Sequence, residues 1–516
     1  MNRKEFLHNL GLLTGGFAFG LNGVPIKAYA HSPFAIDMEG TNGQILVLVQ
    51  LSGGNDGLNT LIPFEDSVYY NKRPNVSIKK ENVIALNEKI GLHPAMGAFK
   101  QLYDDSKLTV VQNVGYENSS RSHFRSTDIW LTASDPREVL YEGWVGRYLS
   151  KRFPDFPVQV PEQPMAIQIG AVESMLLQTD VASFGTVFDS PDAFFQLVKG
   201  TTADSDPLPD SFAGEELKFM RQIAAQSIAY SDIIKKKADI GKNTLTYPNS
   251  GLARQLSIVA DLISGGLETP VYLTTIGGFD THANQVTADN TPNGAHANLL
   301  RTVSEAVQAF YNDLKKQGLS EKVTIMTFSE FGRRVNQNGT MGTDHGTAAP
   351  LFVVGDSVRG GIIGRNPNLV DLDTQGDLKP QFDYRQVYAS VLQDHLGLDA
   401  AGVRNILANR DFTTLPIFKI TTPQTVANDS PDFVLEPNFP NPFATTTTIR
   451  YTLNTRTYAQ LSVFDMLGQQ VSIIRQGIQD QGYYTTIFDG AGLPAGQYLL
   501  SLRTDSGQKI HRMVRV

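Results

Sequence analysis

Five short apolar runs, free of charged residues, recur along the body of the chain, and each adjoins a loop of polar residues. Gln44–Leu51 leads into Ser52-Gly53-Gly54-Asn55-Asp56-Gly57, and Val110–Val114 leads towards Ser119-Ser120-Arg121-Ser122-His123. Val271–Ile276 ends in Gly277-Gly278-Phe279-Asp280-Thr281-His282, and Val323–Phe328 ends in Ser329-Glu330-Phe331-Gly332-Arg333-Arg334. The fifth run, Pro350–Val354, follows Gly342-Thr343-Asp344-His345-Gly346. Continuous apolar runs of this length read as strands buried on both faces, as in a parallel sheet covered by helices. The intervening segments agree: 296–316 carries Leu299, Leu300, Val303, Val307, Phe310 and Leu314 as one helical stripe before Gly318, and a similar stripe spans Tyr384–Leu396. The fold class is therefore α/β, a mostly parallel sheet sandwiched by helices.

In such sheets, sites form where loops converge beyond the carboxyl ends of the strands. Asp56, Asp280, His282, Glu330, Asp344 and His345 stand at those places, and all are oxygen or imidazole donors able to hold a divalent cation. Several also suit simpler roles. Asn55 and Asp56 fit a Gly-rich turn, Ser122 sits among Ser119, Ser120 and Ser126 as in hydrogen-bonded loops, and Arg333 and Arg334 can pair with carboxylates as readily as with an anionic substrate. His123 is the alternative participant of the Ser122 loop, and His296 opens a helix that can face the same edge.

Composition narrows the function. The 516 residues are 41% hydrophobic and 19% charged, enough for a substantial core, and the net charge of −8 with no basic block excludes nucleic acid as the main partner. The absence of cysteine removes thiolate nucleophiles, Cys-ligated zinc and iron–sulfur clusters.

The two ends differ from the body. Arg3 and Lys4, the apolar stretch Leu10–Val24 and Ala28-Tyr29-Ala30 follow the plan of a signal peptide over residues 1–30, with the mature chain starting near His31. Asn2–Leu7 resembles a weakened twin-arginine signal, with Lys4 in place of the second Arg, so the export channel stays open. No later stretch reaches the about 20 apolar residues of a spanning helix. Residues 421–434, rich in Thr, Pro, Asn and Asp, read as a linker, and 435–516 as short alternating strands of a small all-β, Ig-like sandwich.

That last module resembles the C-terminal sorting domain of type IX secretion substrates. The motifs are Glu436-Pro437-Asn438-Phe439-Pro440-Asn441-Pro442-Phe443, Val463-Phe464-Asp465-Met466-Leu467-Gly468, Leu493-Pro494-Ala495-Gly496-Gln497-Tyr498 and Lys509-Ile510-His511-Arg512, in that order. The resemblance implies export through the periplasm to the cell surface or medium of a bacterium of the Bacteroidetes type, with the type IX machinery as partner of residues 435–516.

The body, residues 40–415, resembles the domain-of-unknown-function family 1501 through Leu51–Gly57, Ser120-Arg121-Ser122-His123-Phe124, Gly278–His282, Ser329–Arg333 and Asp344-His345-Gly346. The resemblance implies the alkaline-phosphatase-like fold of sulfatases and phosphoglycerate mutases. It implies Asp56, Asp280, His282, Glu330 and His345 as metal ligands, and Ser122 near the nucleophile. Glu330 falls where that superfamily has an Asp-His pair, and the second member here is Phe331. One ion, or a weakened second site, is therefore as compatible as two. The metal is zinc, calcium, magnesium or manganese.

Three functions fit. The first is a metal-dependent hydrolase of phosphate, sulfate or related esters on a small molecule or glycan, with Ser122, His123 and Arg333 as catalytic candidates. The second is a surface binding protein with catalysis lost, and the third is a structural or handling factor for another secreted protein.

Overall fold

The computed structural model describes residues 43–157, 159–180, 182–199, 212–419, 433–435, 438, 440–453, 455–465, 470–504 and 507–516. The expected signal segment 1–30 and residues 421–432 of the expected linker lie outside them. The chain divides into two compact units, one through Lys419 and one beyond it. The first extends past residue 415 because Ile417 and Phe418 are core residues and Lys419 N–H donates to Ser357 O at 2.8 Å.

The first unit is built on one nine-stranded sheet. Its strands are β1 (Ile45–Leu51), β2 (Leu108–Gly115), β3 (Ala166–Ile169), β4 (Gly185–Phe188), β5 (Val271–Ile276), β6 (Val323–Phe328), β7 (Ala349–Gly355), β8 (Gly361–Ile363) and β9 (Phe382–Asp383). The order is β8-β2-β7-β6-β1-β5-β3-β4, with β9 also paired to β2. All pairings are parallel except those of β7, which runs antiparallel to both β2 and β6. Pro350, which has no N–H to donate, sits where the β7–β2 register shifts.

The continuous apolar run of β1 has a simple cause. Side chains alternate across a strand, and here both sides are dry. Ile45, Val47, Val49 and Leu51 join one core with helices α2 (Gly251–Ser264) and α3 (Ala295–Lys316). Leu46 and Leu48 join the opposite core with α1 (His123–Thr132) and α4 (Tyr384–Ser390). The unit is thus a helix–sheet–helix sandwich. On α3 the stripe Leu300, Val303, Val307, Phe310 and Leu314 is buried, contributing about 1.5–3 kcal/mol per side chain, while Leu299 is half-buried beside the Gly278 loop. Gly318, at φ +71°, closes the helix with Leu319 N–H donating to Leu314 O. The stripe read over Tyr384–Leu396 is α4 followed by a π-helical turn, Val391–His395.

The second unit has two antiparallel sheets. One contains β10 (Phe433–Leu435), β11 (Thr446–Leu453) and β14 (Gly482–Asp489); the other contains β12 (Thr457–Asp465), β13 (Gln470–Gln479), β15 (Gly496–Thr504) and β16 (Gly507–Arg515). Their inner faces share one core, with Tyr451 and Leu453 from the first sheet and Leu461 and Leu500 from the second. Phe433 and Val434, expected in the linker, are strand, because Phe433 and Leu435 alternate inward against β11.

Candidate metal centre

Strands β5, β1 and β6 are neighbours in register, with Leu51 beside Ile276 and Gln50 beside Phe328. Their following loops therefore leave the sheet side by side. Asp344 and His345 reach the same edge for a different reason: they precede β7, and β7 is antiparallel, so its beginning lies where its neighbours end. His345 is tied there by a backbone bridge to Arg333. Glycine makes the approach possible. A Cβ on Gly53, at φ +121°, would lie 2.4 Å from the backbone nitrogen of Asp280.

Three imidazoles and one carboxylate converge at this edge. Asp280 Oδ1 lies 3.2 Å from His282 Nε2, 3.2 Å from His345 Nε2 and 3.5 Å from His123 Nε2. The two ring nitrogens of His282 and His345 are 2.8 Å apart. The partners on the far side of each ring define its proton. His345 Nδ1 faces the Arg121 carbonyl at 2.8 Å, His123 Nδ1 faces Glu330 Oε1 at 2.8 Å, and His282 Nδ1 faces Asp344 Oδ1 at 3.0 Å. All three partners only accept, so each neutral ring donates from Nδ1 and turns the lone pair of Nε2 inward. The buried Nε2 of His123 has no hydrogen-bond partner at all.

Four electron-rich atoms thus face one another. Arg333 Nη2, 2.7 Å from Asp280 Oδ1, serves that carboxylate and none of the ring nitrogens. Such a set repels itself unless a cation lies among it. Metal–ligand bonds of about 2.0–2.1 Å in a tetrahedron put neighbouring donors about 3.3 Å apart, close to the distances of the three ring nitrogens from Asp280 Oδ1. The ligand atoms of His123, Asp280 and His345 lie within 4.8 Å of one another. The residues therefore fit a divalent metal, and the acceptors behind the rings are the supports that metal-binding histidines characteristically use.

The surroundings favour the required protonation states. Burial pushes the Asp280 carboxyl up, but the hydrogen bond and charge of Arg333 and the surrounding imidazoles outweigh it, leaving it at about 2. Burial lowers the His345 imidazole against the opposing pull of Asp280 and the Arg121 carbonyl. Phe331 is buried and packs its ring 4.8 Å from that of His123 and 4.7 Å from that of His345. An apolar ring thus stands directly against the donors, beside Glu330, where a second ion would need another ligand.

Not every residue expected at the site points into it. Asp56 reaches the same edge but is fully buried, bonded to Arg73 Nη1 at 2.7 Å and Gln285 Nε2 at 2.5 Å. Burial alone would raise its pKa, and the Arg73 guanidinium lowers it overall. Glu330, also expected as a ligand, has Oε1 engaged by His123 Nδ1 and by Gly53 N–H at 2.9 Å, so it supports a ring and orders a loop. Arg333, expected to face substrate, is buried with every guanidinium nitrogen occupied by the Gly53, Gly54, Phe279 and Thr343 carbonyls and Asp280. Ser122 is exposed at the start of α1 with no capping hydrogen bond from its hydroxyl. His296 is buried against Asn55 Oδ1, with burial lowering it to about 4. Sequence reasoning placed His123 among catalysts rather than ligands and missed Arg73 and Gln285 altogether. No motif marks Arg73, 17 positions after Asp56.

Two of the donors, His123 and Asp280, line a cleft of about 440 Å³ whose wall also includes Ser52, Phe124, Thr127, Asp128 and Glu330. His123, Phe124, Thr127 and Asp128 share one face of α1, at helical spacing.

Residues 260–408 match the family model described as "Protein of unknown function (DUF1501)", and residues 438–515 match "Secretion system C-terminal sorting domain". No curated protein matches the chain. Solved structures similar to it include a protein in the alkaline phosphatase superfamily from Vibrio parahaemolyticus, at 8% identity, covering 95% of this chain and 91% of that one, with a TM-score of 0.34. A Bacteroides thetaiotaomicron structure described under the metabolism of multiple glycosaminoglycans is 9% identical, covers 87% of this chain and 90% of that one, and has a TM-score of 0.35. The PsFucS1 sulfatase from Pseudoalteromonas sp. is 11% identical, with coverages of 86% and 84% and a TM-score of 0.31. Among the described residues no helix is long and apolar enough to cross a membrane. The chain thus carries a DUF1501 region ahead of a secretion system sorting domain, which marks it for export to the cell surface or medium.

Proposed function

We propose that the first unit is a hydrolase with a single divalent metal held by His123, His282, His345 and Asp280. The observation that carries this reading is the convergence of three imidazole Nε2 atoms on one carboxylate oxygen, with His123 and Asp280 lining an open cleft. Imidazole-rich sets suit zinc better than calcium or magnesium, which prefer oxygen. Such a metal supplies Lewis acidity towards an ester oxygen and towards water. The protein's own residues do the rest. Glu330, Asp344 and the Arg121 carbonyl hold the ring protons on Nδ1, Arg333 fixes Asp280, and Phe331 keeps water from the backs of His123 and His345.

Metal analysis of the purified chain tests the reading, with hydrolysis of a panel of chromogenic esters before and after chelation. About one ion per chain and chelator-sensitive turnover are expected, both lost in Asp280→Ala. A chain with no bound metal, or an Asp280→Ala variant with its metal intact, would falsify the ligand set. A second reading, a metal-bearing binding protein without turnover, is favoured by the exposed position of Ser122.

The export route proposed is through the periplasm by the type IX machinery, in a bacterium of the Bacteroidetes type. Deleting residues 435–516 should strand the first unit in the periplasm, and normal surface delivery of the truncated chain would sink that proposal.

A further inference from the structure

Electrostatics of the cleft bear on which ester the site can take. Asp128, Asp280 and Glu330 contribute three carboxylates to its wall, and no Lys or Arg side chain lines it. The arginines of the neighbouring loops are committed elsewhere. Arg333 is consumed by backbone carbonyls and Asp280, and Arg121 is bonded to Asp377 at 2.7 Å and Asp373 at 3.0 Å. Arg334 pairs with Asp377 and the Gln375 carbonyl, and Arg125 with the carbonyls of Asp135, Pro136 and Glu138. Tetrahedral oxyanions such as phosphate and sulfate monoesters are held in proteins by arginine forks and lysines, and none is free to point inward here. With one divalent ion added beside Asp280, which Arg333 already pairs, the Asp128 and Glu330 carboxylates remain in the wall.

The same face of α1 also carries an apolar group. Phe124 is 86% exposed, follows His123 directly on α1 and lines the cleft. An aromatic ring left in water beside a polar centre gains from covering by an apolar or planar group.

Resting on the hydrolase reading, we infer that the cleft takes an uncharged carbonyl substrate, a carboxylic ester or amide with its apolar part against Phe124, and not a phosphate or sulfate monoester. In the ester reaction a water oxygen bonds to the acyl carbon and the acyl C–O bond breaks. The leaving alkoxide takes one water proton, and the acid departs as carboxylate with release of the other. Asp128, one helical turn beyond Phe124, is the free carboxylate at the mouth that disfavours anions.

The test uses the full metal-loaded chain and has two arms. In the first, 4-nitrophenyl butyrate, 4-nitrophenyl phosphate and 4-nitrophenyl sulfate are compared. The butyrate is expected to lead by at least roughly tenfold in kcat/KM, because like-charge contacts are penalised, with the lead narrowed in both F124A and D128K. In the second, calorimetry compares binding of neutral benzamide and inorganic phosphate to the wild-type chain. Benzamide is expected to bind more tightly, and D128K should raise phosphate affinity by roughly tenfold. Preference for the phosphate or sulfate ester would overturn the inference while sustaining the hydrolase reading. If no probe is turned over, the hydrolase reading falls. The binding arm still decides the charge preference, and tighter binding of phosphate than of benzamide overturns it.

Discussion

Asp56 and Asp280 follow adjacent parallel strands, each in a glycine-containing loop at the carboxyl edge of the same sheet. Their fates are opposite. Asp56 is sealed beneath the surface with Arg73 and Gln285, whereas the Asp280 side chain is 49% exposed and faces three ring nitrogens. What separates them is the partner each finds. The Arg73 guanidinium and the Gln285 amide both hold one oxygen of the buried Asp56 carboxylate, while its Oδ1 has no hydrogen-bond partner. For Asp280 the guanidinium of Arg333 bonds Oδ1 at 2.7 Å, and the same oxygen also faces the imidazoles. A strand-end Asp beside glycine is thus an invitation to bind metal that a well-placed Arg can withdraw.

The crossed pair Asp56→Ala and Asp280→Ala breaks or confirms this division most directly. Removing Asp56 strands the fully buried Arg73 charge, and loss of one partner of such a pair costs about 3–5 kcal/mol. Removing Asp280 also takes the carboxylate from a buried guanidinium, but that carboxylate is 49% exposed, so the pair is screened by solvent and the loss is smaller. Urea unfolding of the metal-free first unit within the full chain should show a large drop in midpoint for Asp56→Ala and a much smaller one for Asp280→Ala. Metal content should respond in reverse, falling in Asp280→Ala and persisting in whatever fraction of Asp56→Ala folds. Equal destabilisation by the two would show that they play the same role.

Glu330→Gln sharpens the boundary between holding a metal and holding its ligand. The amide keeps an acceptor for His123 Nδ1 but loses the charge, and changes of this kind cost about 10–100-fold in metal affinity. Competition with a chromogenic chelator would measure it. A loss as complete as that of Asp280→Ala would return Glu330 to the ligand set.

Much of the first unit could be read before any coordinates. Val271–Ile276 and Val323–Phe328 are strands with those same ends, since both faces of each are buried and the apolar signal is unbroken. The strand Gln470–Gln479 was invisible: it pairs only with β12, most of its side chains are wetted, and three Gln, an Arg and a Gly interrupt its apolar residues. At the site, the residue types were legible and their roles were not. The orientation of His123 depends on Glu330, 207 positions away, and that of His345 on a backbone carbonyl, which no side-chain pattern encodes. Arg73 decides the fate of Asp56 from a helix end with no motif of its own.

Acid should reveal the Asp56 ion pair as a slope. The Asp56 carboxyl has a folded pKa below its ordinary value of 3.8, the Arg73 charge and hydrogen bond outweighing burial. Its contribution to stability is therefore fully present above about pH 4 and is lost as pH falls through the folded value, where the native state must take up a proton. Stability measured from pH 6 downward should fall less steeply in Asp56→Asn than in the parent, from a lower starting point. An unchanged acid slope would mean that the Arg73 pairing does not persist in solution.

The smallest effect is expected at Ser122, and it bears on whether any residue of its loop reacts. Ser122 stands one residue before His123, so a reactive hydroxyl there would place a nucleophile next to the metal. Its side chain is exposed, makes no capping bond to α1 and is not part of the cleft wall, which Ser52 and Thr127 line instead. A surface hydroxyl without partners changes stability by no more than about 0.5 kcal/mol when removed. Ser122→Ala should therefore keep the parent's melting temperature, metal content and any ester turnover to within about twofold, which is about 0.4 kcal/mol in activation free energy. Ser126→Ala is the matched control on the same helix. Its hydroxyl donates to the Glu330 carbonyl and also bonds the Tyr116 hydroxyl at 2.8 Å, so its loss should loosen the loop that carries Glu330 and lower metal affinity. Loss of turnover in Ser122→Ala with metal content intact would reverse the assignment, making Ser122 the nucleophile and requiring the start of α1 to turn inward when substrate binds.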